Sequence, residues 1–171
     1  MSNLPETLDP RRAADQERRL VGSVRLGELA RVADLVSNPD GRVEFELAFF
    51  RDDARRACVR GHVVADLKVR CQRCLDDINI PVDARTLLAI VAGDAEAEQL
   101  PDEYDPVLVD ADGLDPRELV EDELLLALPQ VPMHDPTDCD PQVMARLTEE
   151  NSDALGDGPF GILAQLKNQI H

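Results

Sequence analysis

Val43-Glu44-Phe45-Glu46-Leu47-Ala48-Phe49 sets a large apolar side chain at every second position, with glutamates between the first three. An extended chain points successive side chains to opposite faces. This period of two therefore predicts a strand with one face buried and the other in water. The pattern recurs downstream, where Val63, Ala65, Leu67 and Val69 alternate with Asp66, Lys68 and Arg70. A third run opens at Ile78, Ile80 and Val82 and continues through Leu88 and Ile90 to about Ala92. Short polar connections separate the three runs, and consecutive strands joined this way predict an antiparallel meander.

Working outward, Leu20, Val21, Val24 and Leu26 suggest a short preceding strand. Leu29, Val32, Ala33 and Val36 fall at i, i+3, i+4 and i+7, which predicts a helix over 27–36, stopped by Ser37-Asn38-Pro39-Asp40-Gly41. Residues 1–19 are charge-rich and read as a polar arm. Beyond the meander, residues 93–106 (GDAEAEQLPDEYDP) read as an acidic loop, and 107–109 as one short strand. Asp115-Pro116-Arg117-Glu118 offers an N-cap, a proline at the first helical position and a glutamate at the third. The helix they start is expected to stop before Pro129 and to bury Leu119, Val120, Leu124, Ala127 and Leu128. The expected fold class is α+β, an antiparallel β-meander sheet with two or three packed helices in a single domain over 1–134. Residues 135–171 are expected to form an irregular acidic tail, ending in a short amphipathic helix lined by Phe160, Leu163, Leu166 and Ile170.

The apolar fraction of 43% suffices for a core in a chain of 171 residues. With 3% aromatic residues and no tryptophan, the chain is poorly equipped to stack single-stranded bases. No run approaches the roughly 18–20 apolar residues of a membrane span. The polar N-terminus lacks the apolar run of a signal peptide, so the expected location is the cytoplasm and the four cysteines are expected to stay reduced. The net charge of −17 is divided unevenly: residues 1–75 hold 14 basic and 12 acidic groups, and residues 76–171 hold 4 basic and 23 acidic. This excludes a strongly basic protein that coats phosphates over its whole surface.

The sharpest local feature is Val69-Arg70-Cys71-Gln72-Arg73-Cys74-Leu75. A Cys-x-x-Cys pair is redox-active when the first thiolate sits at a helix N-terminus. Here the alternating residues that follow place it at a strand-to-strand turn. Such a turn presents two sulfurs to one metal and forms half of a structural zinc site. Cys71, Cys74, His134 and Cys139, in the spacing C-x2-C-x59-H-x4-C, are therefore the candidate metal ligands, with zinc as the candidate cofactor. The alternative is a pair of packed thiols beside an unrelated surface histidine. Cys58 reads as simply packed. Arg51, Arg55, Arg56 and Arg73 lie in the same strand region and are candidate contacts to RNA phosphates; solvated strand ends paired with local acids are the other reading. No catalytic constellation, phosphate loop or small-molecule substrate site emerges.

Cys71-Gln72-Arg73-Cys74-Leu75, the run from Val120 to Pro129 (VEDELLLALP), Val131-Pro132-Met133-His134 with Cys139, and the ending around Pro159-Phe160 together resemble the YceD family. The start Leu8-Asp9-Pro10-Arg11 is also similar to its bacterial members, so the resemblance spans nearly the whole chain. It implies a role in synthesis, processing or stability of large-subunit (23S) ribosomal RNA, with no catalytic residues attached. Combined with the uneven charge, it suggests a factor bridging precursor RNA and a basic ribosomal protein. Glu121, Asp122 and Glu123 are the candidate protein-facing acids. The rivals are a metal-dependent nuclease and a thiol oxidoreductase using the Cys71–Cys74 pair.

Overall fold

The computed structural model describes residues 4–109 and 113–146. Five strands, β1 (Arg19–Arg25), β2 (Arg42–Arg51), β3 (Ala57–Arg70), β4 (Asp77–Val91) and β5 (Asp105–Leu108), form one sheet in sequence order. The first four run antiparallel, as the alternation predicts, and the fold is α+β. In contrast, β5 pairs parallel to β4, from Leu88↔Asp105 to Val91↔Leu108. A parallel neighbour needs a connection that travels back along the sheet. Residues 92–104 supply it, including the one-turn helix α3 (Asp94–Ala97).

Register decides which face is buried. The pairings Val43↔Ala65 and Ala65↔Val82, with Phe45↔Val63 and Val63↔Ala84, line the apolar sets of three strands side by side. Val43, Phe45, Leu47 and Phe49 are buried with Val59, Val63, Leu67 and Val69. Each such side chain contributes about 1.5–3 kcal/mol when fully removed from water. The face is covered by helix α4 (Pro116–Ala127), through Leu119, Val120 and Leu124, and by α1 (Pro10–Asp15), through Ala13 and Ala14. As its sequence predicts, α4 starts with Asp115 accepting from the Arg117 N–H at 2.8 Å and Pro116 in the first turn. It ends with Leu128 extended before Pro129, the conformation a following proline favours.

Four local expectations are corrected. The helix over 27–36 is a 3-10 turn (Leu26–Glu28) and a single α turn, α2 (Ala30–Ala33), broken at Leu29, whose backbone is extended. The polar arm contains α1, capped by Asp9 through the Arg11 and Arg12 N–H groups. The arm is pinned by reciprocal bonds of 2.9 Å between the Leu8 and Leu114 backbones. In α4 the buried positions include Glu121, while Ala127 is exposed and Leu128 only half-buried. Residues 141–146, expected to be irregular, are helical. The amphipathic helix anticipated around Phe160 lies outside the described residues.

Candidate metal centre

Strand β3 delivers Cys71 into a tight turn that reverses the chain before β4. The Cys71 N–H donates to the Asp76 carbonyl at 2.8 Å, and the Leu75 N–H donates to the Cys71 carbonyl at 3.0 Å. Leu75 has φ +65°, a left-handed conformation that costs an L-residue about 1–2 kcal/mol and favours glycine. The reversal buries both thiols, with Cys71 0% and Cys74 6% exposed.

The second half arrives from beyond α4. Pro129 and Pro132 bias the residues before them toward extended backbone, and the Gln72 N–H donates to the Pro132 carbonyl at 2.8 Å. This clamp brings His134 Nδ1 to 3.4 Å from Cys74 Sγ. Cys139 is 3% exposed and packs in a small cluster with Cys71, Cys74, Ile78, Val143 and Met144. The four donor atoms of Cys71, Cys74, His134 and Cys139 all lie within 4.8 Å of one another. Among the described residues they are the one group of three or more His, Cys, Asp or Glu arranged to hold a metal ion.

The surroundings favour negative charge on one sulfur, that of Cys71. Burial pushes the Cys71 thiol up, but backbone N–H groups of Cys74, His134 and Arg73 point at its sulfur, and the balance leaves it well below its ordinary value. Two of those N–H groups, from Arg73 and His134, sit at 3.4 Å. Burial raises the Cys139 thiol, helped by hydrogen bonds to Cys74 and Cys71. Among the described residues, Arg73 brings a cation to the cluster, with Nη1 3.9 Å from Cys139 Sγ and 3.5 Å from the His134 carbonyl, and Nη2 3.7 Å from Met133 Sδ.

The other candidate residues are scattered and mostly engaged. Arg51 donates to Asp15 at 2.8 Å and to the Arg55 and Arg11 carbonyls. Arg56 binds Asp52 at 2.7 Å, and its guanidinium lies 4.9 Å from the centroid of the Tyr104 ring. Arg55 is exposed in the β2–β3 turn with φ +64°. Glu121 is 7% exposed and holds α2, so it is not a protein-facing acid. Asp122 is exposed but paired with Arg31 at 2.8 Å. Burial pushes the half-buried Glu123 carboxyl up, against a hydrogen bond from Thr86. Cys58 is buried, as expected. The sequence reading missed the part Arg73 plays beside the thiols; its position inside the Cys-x-x-Cys turn was the available signal.

Residues 59–167 match the family described as YceD, large ribosomal RNA subunit accumulation protein. The chain is also similar to a Haemophilus influenzae protein named large ribosomal RNA subunit accumulation protein YceD. The two are 34% identical over 171 residues, covering 97% of each chain. No solved structure matches.

Proposed function

The chain belongs to the YceD family of large ribosomal RNA subunit accumulation proteins, and from that premise we propose that it supports large-subunit ribosomal RNA as a cytoplasmic binding factor. The observation that carries this reading is similarity over the whole length, 34% across 97% of both chains, rather than a shared motif. In this reading the Cys3His cluster serves architecture, and the work is done by surfaces.

The solvent face of the sheet is the RNA-facing candidate. Arg42, Arg60, Lys68 and Arg70 are exposed on it, and among the described residues none of them forms an ion pair with a carboxylate. Arg42 is held by Ser23 at 2.7 Å, and Arg60 lies 5.1 Å from the centroid of the Phe50 ring. Counting Arg19, Arg25, Arg42, Arg60, Lys68, Arg70 and Arg85 against Glu44, Glu46, Asp66, Asp77 and Asp83 gives this face +2, in a chain of −17. A local positive field on an acidic body attracts phosphate there and repels it elsewhere. The acidic segment between β4 and β5, with Asp94, Glu96, Glu98, Asp102 and Glu103 and no basic residue, supports a basic ribosomal protein as the second partner.

Binding of purified protein to large-subunit ribosomal RNA fragments tests this. Four phosphate contacts predict roughly 100-fold weaker binding at 200 mM than at 50 mM salt. Charge reversal of Arg42, Arg60, Lys68 and Arg70 together is expected to abolish that salt-dependent component. Unchanged affinity in the folded quadruple variant removes the sheet face from the account. Cleavage of the RNA by purified protein replaces the binding reading with the nuclease one.

A further inference from the structure

We infer that Cys71, Cys74, His134 Nδ1 and Cys139 bind one Zn2+ as a closed structural site, with the Arg73 guanidinium as its outer cation. Tetrahedral zinc, with bonds of about 2.3 Å to sulfur and 2.0–2.1 Å to nitrogen, holds its ligands roughly 3.5–3.8 Å apart. The Cys74 Sγ to His134 Nδ1 distance of 3.4 Å is already close to that range, and donor separations of up to 4.8 Å close with side-chain adjustment. Thiolates with imidazole select zinc over hard cations such as Mg2+ or Ca2+. Four protein donors leave no open position for water, the mark of a structural rather than a catalytic centre.

Packing alone does not account for the arrangement. An apolar cluster of thiols needs no N–H groups at a sulfur, yet the Arg73 and His134 N–H groups both approach Cys71 Sγ. It also needs no imidazole nitrogen against another sulfur. Hydrogen bonds of this kind orient metal-bound thiolates and offset their charge. Three thiolates and a neutral imidazole around Zn2+ carry one net negative charge, and the Arg73 guanidinium beside Cys139 Sγ balances it. The site joins the β3–β4 turn to the segment after α4, far away in sequence, where the direct backbone bond between them is Gln72 to Pro132. The metal therefore fastens residues 132–144 to the end of the sheet. Zinc binding is independent of RNA binding, so each proposal can fail without the other.

Elemental analysis of full-length protein, purified under reducing conditions without chelator, is expected to give about one zinc per chain. Co2+ substitution is expected to give thiolate-to-metal charge transfer and tetrahedral d–d absorption. Cys74→Ser and Cys139→Ser are expected to lose the metal, and Cys58→Ala to keep it. Arg73→Gln is expected to keep zinc but release it to a chelating dye about 10-fold faster, with Arg73→Lys closer to the parent. A folded parent protein with neither zinc nor Co2+ uptake overturns the site, and iron in place of zinc overturns the metal. Those two measurements decide even if the cysteine variants do not fold. Release from Arg73→Gln at the parental rate removes the arginine from the centre.

Discussion

Glu121 reaches out of α4 and closes the start of a neighbouring helix. Its Oε1 accepts from the Arg31 N–H at 2.6 Å and the Val32 N–H at 3.4 Å, and its Oε2 accepts from Arg31 Nε at 3.0 Å. No side-chain cap of its own starts α2, so this distant carboxylate satisfies the backbone donors that the first turn leaves over. Glu121→Ala leaves buried donors without a partner and is expected to cost about 1–3 kcal/mol in urea unfolding. Glu121→Gln keeps an acceptor oxygen and is expected to cost less than half of that. A pH-dependent counterpart sits in the β2–β3 turn. Burial raises the Asp52 carboxyl, but the Arg56 guanidinium and backbone N–H outweigh it, and the net shift is downward. A carboxylate lowered in the folded state stabilises above its unfolded pKa, about 4, and that stability is lost as pH falls through the lower folded value. Asp52→Asn is therefore expected to lower stability at pH 7 and to flatten the loss of stability below about pH 4, both read from urea midpoints. The sequence shows neither partnership in full: the Asp52–Arg56 spacing of four is common in any charged turn, and Glu121 meets Arg31 only through the tertiary fold.

Strands β2, β3 and β4 were readable because alternation over many residues admits one periodicity and the short turns admit one connectivity. Helix α4 was readable from its Asp-Pro-x-Glu start. Helix α1 was not, because it buries Ala13 and Ala14 rather than large side chains, and its charges dominate the local pattern. The apolar spacing at 27–36 suits a helix, but the extended Leu29 divides it, and no local residue forces that break. The direction of β5 was hidden because pairing direction depends on where the chain returns, not on the four residues of the strand. The Cys3His cluster was half legible: a turn with two thiols announces itself, whereas the weaker pair His134 and Cys139 joins it only when α4 carries the chain back. Asp9→Ala removes the α1 cap and is expected to cost about 1 kcal/mol, lowering the thermal midpoint by a few degrees. An unchanged midpoint contradicts the packing of α1 as an integral element.

Across the whole molecule the charge separates by place. The open sheet face is mildly positive, and the acidic segment beyond β4 accompanies an acidic C-terminal half. Such a distribution steers encounter at long range and is screened beyond roughly 10 Å at 0.1 M salt. Family membership gives the process, and the division of labour proposed above assigns the sheet face to RNA, the acidic side to a basic protein and the Cys3His cluster to fastening the chain after α4. The ratio of large- to small-subunit ribosomal RNA in cells deleted for the chain tests this most directly. The account predicts a fall in that ratio, restored by the parent protein and not by the stable, folded variant reversed at Arg42, Arg60, Lys68 and Arg70. A ratio unchanged by deletion contradicts it.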